Sequence, residues 1–466
     1  MSGIKKPDYL SSLPSELLQQ IYDLAAIPKR FSSRSKFLLG PPSRKLRPFF
    51  DRSFYSNVSL ESGRQTQHFC ILVPEQSLQL VRSFSINLPC RAVGLDYKTV
   101  EIGEDVHWPN NKLLVETLEK LTSVERVYIN GSSRFASLFL SSTYAIPALP
   151  TLSSLTLKSS FLGLEDPFDP RHYISLSSYP SLRTLQVSLW PDRLITSSSY
   201  DQSASRPPLS LPTITAVDLG GPLLTSPHIS ALLKSFPNLS KLFLRDRSAK
   251  PGFFDLLQAV AKPELLEELS LRCWDFDFDN ATSAATSPQA IFSRFSNLRS
   301  LAVNLELSPS LYRLLCSLRT LQHLEIGIGL EVSEREITRV IDSLDLRTLI
   351  LNSPDAHLNS QFWDPNNKYR SLSDSEDEEE DLEWMFEFAE WTDKLSKEGL
   401  KRLMTKCEER KIQLTGLACR ALVLEKKWES GELRRERIRW LEEMENAENQ
   451  FSRMMKIQEE GVVGDE

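Results

Sequence analysis

The sequence predicts an α/β solenoid of about ten repeated strand–helix units, preceded by a small helical domain and followed by further helices. One apolar motif recurs through the middle of the chain, and amphipathic stretches with helical periodicity lie between its copies. In addition, 41% of the 466 residues are hydrophobic, which is enough to fill a long core. Together these observations favour a repeat architecture over several separate globular domains.

The repeated motif has the form L-x-x-L-x-L, in which another apolar residue can replace Leu, and it occurs ten times. The first copy is Val81-Phe84-Ile86 and the last is Leu346-Leu349-Leu351. From the second copy onward, neighbouring copies lie 23 to 32 residues apart, which is the spacing of leucine-rich repeats. Chance would produce one or two such hexamers, so the spacing predicts a leucine-rich-repeat solenoid.

Each copy of the motif places three apolar side chains on one side of a short strand. Residues two apart in a strand, such as Leu242 and Leu244, point to the same face. Leu239, three positions before Leu242, lies on the approach to the strand and closes the same core. Because a single unit cannot bury this face alone, we expect consecutive strands to stack in parallel.

Between the motifs lie stretches whose apolar residues recur at steps of three and four, the period of an amphipathic helix. They predict helices at Leu113–Leu121, Ile229–Phe236, Phe253–Lys262 and Ser333–Leu344. Residues 189–211 are instead polar and rich in Ser and Pro, which favours a loop or short 3₁₀ turns. After the tenth motif, Leu400–Lys411 followed by Ile412 and Leu414 predicts an eleventh, partial unit.

The expected domain boundaries follow from these elements and from the change in composition after the last motif. They are a helical domain at 8–55, the solenoid at 78–360, an acidic disordered loop at 364–381, capping helices with the partial repeat at 382–416, and a long charged helix at 417–459. Residues 373–466 carry 26 acidic and 16 basic side chains. A nucleic-acid-binding protein more often shows a strongly basic domain, so we expect no nucleic acid among the partners.

Residues 10–26 are expected to form a short amphipathic helix. Ser12 or Ser15 can cap it, and Pro14 near its start costs little because the first amides of a helix have no helical partner. Its apolar residues cover one broad face. Judged from these residues alone, that face packs against residues 37–50.

The sequence Leu13-Pro14-x-Glu16-Leu17-Leu18-x-x-Ile21-Tyr22-x-Leu24 resembles the opening of an F-box. An F-box followed by leucine-rich repeats is a recurring family layout, and residues 43–60 resemble the degenerate second half of fungal members. In that family, the Leu-Pro and the apolar helix face bind the Skp adaptor, which joins the protein to a cullin–RING ubiquitin ligase. The resemblance implies adaptor contacts at Leu13, Pro14, Leu17, Leu18, Ile21 and Tyr22.

The C-terminal region carries open alternatives. Ser371, Ser373 and Ser375 each have an acidic residue three positions on, which suits acidophilic kinases; the alternative is an unmodified solubilising loop. Leu382–Leu395 has aromatic side chains at helical spacing and is expected to cap the solenoid, unless a partner covers it. The charged helix at 417–459 is expected to lie back on the solenoid.

We expect no active site, metal or cofactor. The sequence lacks phosphate-binding glycine loops, the zinc-protease motif and a nucleophile elbow. Its six histidines form no i,i+4 pair and its six cysteines form no C-x-x-C pair. Asp275, Asp277 and Asp279 alternate, but the Gly and terminal Glu of a calcium loop are missing. The protein is therefore expected to act by binding.

The expected partner-binding surface is the concave face of the solenoid, where strand residues that alternate with core residues point outward. Lys241, Arg245 and Arg272 lie on adjacent predicted strands, as a site for an acidic or phosphorylated segment would require. Aromatic side chains beside Arg are typical interface anchors. The candidate residues are Arg126, Tyr128, Lys158, Lys241, Phe243, Arg245, Arg272 and Trp274. The alternatives are an ordinary solvated face and self-docking of the acidic run 374–381.

The sequence has no stretch of about 18 apolar residues, and its first residues lack the apolar core and cleavage site of a secretion signal. We therefore expect a cytoplasmic and/or nuclear protein that does not contact a membrane. The resemblance implies a substrate-recognition subunit of a Skp–cullin–F-box E3 ubiquitin ligase, whose F-box helix binds the adaptor and whose repeats bind an unknown client protein. The alternative is a leucine-rich-repeat interaction scaffold with no link to a ligase.

Overall fold

The structure is a computed structural model, and the chain divides in it into two compact units, Met1–Ser300 and Leu301–Glu466. It describes residues 47–87, 111–130, 149–159, 168–189, 209–221, 228–246, 253–277, 288–306, 309–327, 333–352 and 397–416, together with residues 15, 139, 140, 223, 226 and 419.

Among the described residues of the first unit, eight strands form a parallel sheet in the order of the chain. They are β1 (Asn57–Leu60), β2 (Ser83–Asn87), β3 (Arg126–Asn130), β4 (Ser154–Ser159), β5 (Thr184–Leu189), β6 (Ala216–Gly220), β7 (Lys241–Asp246) and β8 (Glu268–Asp277). Strands β2 to β8 coincide with the first seven copies of the apolar motif.

The register of the sheet aligns each motif with the next, which gives the first compact unit a continuous core. Leu155 of β4 pairs with Leu185 of β5, and Val217 of β6 pairs with Leu242 of β7. All four side chains are buried, as is Leu239 on the approach to β7. Each fully buried side chain of this kind contributes about 1.5–3 kcal/mol to folding. Stacking of neighbouring units thus buries the apolar face that no single unit could cover.

One backbone arrangement recurs between neighbouring repeats, just before several of the strands. The carbonyl of Ser240 accepts hydrogen bonds from the amides of Glu267 and Glu268, at 2.8 and 3.1 Å. The carbonyl of Glu125 accepts in the same way from Ser153 and Ser154, at 2.8 and 3.0 Å. Each shared carbonyl provides a hydrogen-bond acceptor for two backbone amides at the point where the next strand begins. The first unit is therefore a parallel α/β solenoid built from leucine-rich units.

The sheet begins earlier than the expected boundary at residue 78. Helix Arg47–Ser56 leads directly into β1, and Val58 of β1 pairs in parallel with Phe84 of β2. Val58 and Leu60 are buried, like the motif residues of later strands. Tyr55 occupies the position of the first motif Leu, and this explains why the apolar pattern did not predict a repeat here.

The connections between strands are short helical segments. Those of the first unit are helices Gly63–Leu72, Glu75–Leu78, Asn111–Glu119, Ile229–Lys234 and Pro288–Phe292, with 3₁₀ segments at Pro170–Ser178, Phe253–Ala259 and Pro263–Leu265. The helix expected at Phe253–Lys262 is thus 3₁₀ and stops at Ala259. Pro263 provides a reason, because a proline disfavours α-helical geometry in the residue before it, and Lys262 has φ −129° and ψ 79°.

In the second unit, the described strands also follow the order of the chain. They are β9 (Ser300–Glu306), which begins at the last residue of the first unit, β10 (His323–Gly327), β11 (Thr348–Asn352) and β12 (Gln413–Thr415). Strand β11 is parallel to both β10 and β12. The helices are Pro309–Ser317, Glu334–Ser343, capped by the Ser333 hydroxyl, and Lys397–Glu409.

Strand β12 and its helix occupy the place of the eleventh, partial unit. Arg402 in helix Lys397–Glu409 forms a two-bonded ion pair with Glu334, and Lys406 pairs with Asp342 at 2.7 Å. Gly416 has φ +118°, and a Cβ there would lie 2.1 Å from the carbonyl oxygen of Leu351. Only glycine allows the chain to pass so close to β11.

A membrane-spanning helix is not among the elements seen: in the parts of the chain that the structure describes, no helix combines the length and apolar character needed to cross a bilayer.

Candidate partner-binding face

The candidate site is the surface formed by the strand residues of β3–β8 that alternate with the buried motif residues. We call this surface the outward face. Its middle row, in register, is Tyr128, Thr156, Gln186, Asp218, Phe243 and Ser270. The next row, two residues further along each strand, is Asn130, Lys158, Ser188, Gly220, Arg245 and Arg272. The register thus makes neighbours of residues from different repeats.

Tyr128 and Lys158, both candidates from the sequence, lie on the adjacent strands β3 and β4. The Nζ atom of Lys158 is 5.5 Å from the centroid of the Tyr128 ring, within the range of a cation–π interaction. Both side chains are partly buried, and burial raises the pKa of the Tyr128 hydroxyl. Arg126, at the start of β3, is exposed.

A hydrogen-bonded polar chain crosses four strands of the outward face. The hydroxyl of Thr156 donates to Oε1 of Gln186 at 3.3 Å, and Nε2 of Gln186 donates to Oδ2 of Asp218 at 2.8 Å. Arg245 completes it by donating to both carboxylate oxygens of Asp218. The sequence reasoning missed Thr156, Gln186 and Asp218. Aligning the motifs would have found them, because they occupy the same middle position as Phe243.

Asp218 and Lys158 are charged groups in a partly desolvated setting. Burial raises the pKa of the Asp218 carboxyl, although the charges of Arg245 and Lys158 and the hydrogen bond from Gln186 oppose that rise. Burial lowers the pKa of the Lys158 ammonium group, the charge of Arg245 lowers it further, and Asp218 opposes both effects. Such shifts follow when charges are held close together with limited access to water.

Two of the three cations that were expected to form a basic patch are paired within the protein. Lys241 forms an ion pair with Glu268 on the next strand, with 2.7 Å between Nζ and Oε2. Arg245 pairs with Asp218. Arg272 lies beside Arg245 in register and is partly buried. The outward face is therefore a mixed polar surface on which the net positive charge is smaller than the sequence indicated.

The aromatic and small residues of the middle row complete the face. Phe243 is partly buried between Asp218 and Ser270 in register. Ser270 is buried, and its Oγ has no hydrogen-bond partner among the residues that the structure describes. Trp274 lies in β8, but its side chain is outside the described part of the structure.

Several expectations fall outside the described residues. The implied adaptor contacts Leu13, Pro14, Leu17, Leu18, Ile21 and Tyr22 are among them; within that segment only Ser15 is described, as helical and exposed. The serines Ser371, Ser373 and Ser375, the acidic loop at 364–381 and the segment Leu382–Leu395 are also outside it. Of the charged helix expected at 417–459, only Cys419 is described.

A second cluster of charges, around Asp169, has a structural explanation. Asp169 is 2% exposed and caps the 3₁₀ segment Pro170–Ser178 through the amide of Arg171. The Arg171 guanidinium binds the same carboxylate, and Nε2 of His228 lies 3.9 Å from it. Burial raises the pKa of the Asp169 carboxyl, but the hydrogen bonds from Arg171 outweigh this effect and leave the pKa below its ordinary value. The cluster joins two connections of the solenoid.

Groups suited to metal binding or nucleophilic chemistry are not brought together in the part of the chain described. No cluster of three His, Cys, Asp or Glu side chains able to hold a metal ion occurs among those residues. Burial raises the pKa of the Cys407 and Cys419 thiols to about 11, so both are protonated near neutral pH.

Comparison with solved structures gives 19 matching chains, one of which is a complex of low similarity to this chain. No family model matches the chain, and no curated protein matches it. The crystal structure of a TLR13–ssRNA13 complex matches over 65% of this chain and 51% of that chain, with 14% sequence identity and a TM-score of 0.25. This chain therefore spans about half the length of the matched one. Because so low a TM-score carries no argument, the repeat architecture rests on the register and core described above.

Proposed function

We propose that this protein is a protein-interaction scaffold that binds a client protein through the outward face of β3–β8. The observation that carries the proposal is the polar chain from Thr156 to Arg245, flanked in register by Tyr128 and Phe243. Aromatic and Arg side chains supply most of the binding energy at many protein interfaces. Hydrogen bonds between the polar side chains hold them in one arrangement before a partner arrives, and this lowers the entropic cost of binding.

In its finer form, the proposal makes this scaffold the substrate-recognition subunit of a Skp–cullin–F-box ubiquitin ligase. Support comes from the F-box-like sequence that begins at Leu13-Pro14 and from the position of this sequence ahead of the repeats. The helix would bind the Skp adaptor through Leu17, Leu18 and Ile21, while the solenoid holds the client. The protein would need no active site, metal or cofactor, because the ligase supplies the chemistry, and it would work in the cytoplasm and/or nucleus.

The second candidate is a leucine-rich-repeat scaffold with no link to a ligase. The same outward face supports it, because client binding there does not depend on the N-terminal segment. In that case the helix at 10–26 only covers apolar surface of its own chain. The two candidates therefore differ in whether the side chains of Leu17, Leu18 and Ile21 are available to an adaptor.

Co-purification with the Skp adaptor separates these candidates. Wild type is compared with Leu17→Asp/Leu18→Asp, because charged side chains cannot enter an apolar groove without a large desolvation cost. Ser15→Asp is the matched control: Ser15 is exposed in the same segment, and Asp is also a good helix cap. The ligase proposal predicts adaptor binding by wild type and Ser15→Asp, and its loss in the double variant.

Circular dichroism of each variant checks that the repeats remain folded. Failure of the well-folded wild type to bind the adaptor would contradict the ligase proposal and leave the scaffold. Equal binding by wild type and the double variant would contradict the assigned contact residues.

A further inference from the structure

Two cations of the outward face flank a part of the sheet that carries almost no side chain. Lys158 on β4 and Arg245 on β7 lie in the same row, and Ser188 and Gly220 separate them. Gly220 is buried, and a Cβ at this position would lie 2.7 Å from the hydroxyl oxygen of Ser188. A larger side chain therefore does not fit between the two cations without displacing Ser188. At these two positions the row therefore carries only the small side chain of Ser188.

Arg245 is held in place by its neighbour while part of its guanidinium remains available. Its Nε donates to Oδ1 of Asp218 at 3.0 Å, and its Nη2 donates to Oδ2 at 2.8 Å. Within the described part of the chain, Nη1 makes no hydrogen bond. A guanidinium has five N–H donors, so a second acceptor can bind without breaking the bonds to Asp218.

Lys158 has no carboxylate within ion-pair distance among the described residues. Its nearest assigned contact is the ring of Tyr128, and its charge acts on Asp218 and is itself repelled by Arg245. Asp218 is already bonded to Arg245 and Gln186, so its negative charge is shared. Lys158 and Arg245 lie three strands apart in a partly buried row and their charges repel each other, so an anion placed between them would offset that repulsion.

We propose that Lys158 and Arg245 bind the side-chain carboxylates of an extended acidic segment in the client protein, with Phe243 packing against an apolar side chain beside them. This inference rests on the proposed client-binding face. The planar fork of Arg matches a carboxylate, and the neighbouring Phe243 favours a peptide in which acidic and apolar side chains alternate. Asp218, in register with Phe243, and Glu268, in register with Lys241, would repel the continuous phosphate backbone of a nucleic acid.

Fluorescence anisotropy with the full-length protein tests the inference. The probe is a short fluorescein-labelled peptide that alternates Glu with Phe, and the matched peptide has Gln in place of Glu. We expect the Gln peptide to bind about tenfold more weakly or worse, because a hydrogen bond to a charged group contributes more than a neutral one. Raising the salt concentration should weaken the binding of the Glu peptide alone.

Substitutions of Lys158 connect the probe to the site. We expect Lys158→Gln to weaken binding of the Glu peptide about tenfold and Lys158→Arg, which keeps the charge, to remain within about threefold of wild type. Lys234→Gln removes the same charge from an exposed position in helix Ile229–Lys234 and should leave binding unchanged. Equal binding of the Glu and Gln peptides, or equal binding by wild type and Lys158→Gln, would overturn the inference.

Two further arms test the class of ligand and the independence of client binding from adaptor binding. Single-stranded RNA that binds as tightly as the Glu peptide, with the same dependence on Lys158, would overturn the assignment to an acidic peptide.

Lys158→Gln should still co-purify with the Skp adaptor if wild type does, because the adaptor contacts lie elsewhere in the sequence. A protein that binds the adaptor but shows no preference for the Glu peptide would refute the inference alone, whereas one that prefers the Glu peptide without binding the adaptor would refute only the ligase link.

Discussion

Arg245 on β7 holds Asp218 on β6 through two hydrogen bonds, from Nε to Oδ1 at 3.0 Å and from Nη2 to Oδ2 at 2.8 Å. The pair joins two neighbouring repeats across the outward face. Through Asp218, the pair also links Arg245 to the side chain of Gln186 and, through Gln186, to that of Thr156. One ion pair thus contributes both to the packing of the repeats and to the arrangement of the proposed client-binding residues.

Arg245→Ala is expected to lower the free energy of unfolding by about 1–3 kcal/mol, because it leaves the partly buried Asp218 carboxylate without its main partner. Urea unfolding followed by tryptophan fluorescence measures this change. Lys241→Ala is the comparison, since the Lys241–Glu268 pair is more exposed and should contribute at most about 1 kcal/mol. The double variant Arg245→Ala/Asp218→Ala should recover part of the loss, and equal losses in all three variants would contradict this account.

We expect Asp169→Asn to lower the stability of the protein at about pH 7. This difference from wild type should disappear in acid. The pKa of the Asp169 carboxyl lies below its ordinary value in the folded state. Its contribution to stability is therefore fully present above the unfolded pKa of about 4 and disappears as the pH falls through the lower folded pKa. Thermal unfolding of both proteins across this range measures the difference. Glu264→Gln, at an exposed position, controls for the loss of one charge, and a pH-independent difference for Asp169→Asn would contradict the prediction.

Gly416→Ala is expected to destabilise the second unit by about 1–3 kcal/mol or more, because it adds a Cβ close to β11 at a backbone conformation that L residues rarely adopt. Lys411→Gly is the matched change, since Lys411 has φ 59° and glycine adopts this conformation without strain. Its melting temperature should equal or exceed that of wild type. A lower melting temperature for Lys411→Gly than for Gly416→Ala would contradict the assigned backbone geometry.

The strands and their register could be predicted from the sequence because the spacing of the apolar residues in the motif determines which side chains are buried. Leu242 and Leu244 are both buried, and the same alternation placed Lys241, Phe243 and Arg245 on the other face. Strand β1 was missed since Tyr55 stands where later units have an aliphatic residue. The 3₁₀ geometry of Phe253–Ala259 was missed because an apolar period of three to four residues does not distinguish it from an α-helix.

The pairing of charges on the outward face could not be predicted from the motif. Arg245 reaches Asp218 diagonally, from the fifth position of β7 to the third position of the preceding strand β6, so its partner depends on the rotamer of a long side chain. The sequence therefore indicated a patch of three cations, Lys241, Arg245 and Arg272. In the structure, Glu268 and Asp218 neutralise the first two.

Hydrogen exchange with and without the purified Skp adaptor is the measurement that most directly tests the proposal that one segment of this protein binds the adaptor while the outward face binds the client. We expect slower amide exchange across residues 13–24 when the adaptor is added, with no change in β3–β8. Unchanged exchange at residues 13–24, or protection across β3–β8 instead, would contradict it.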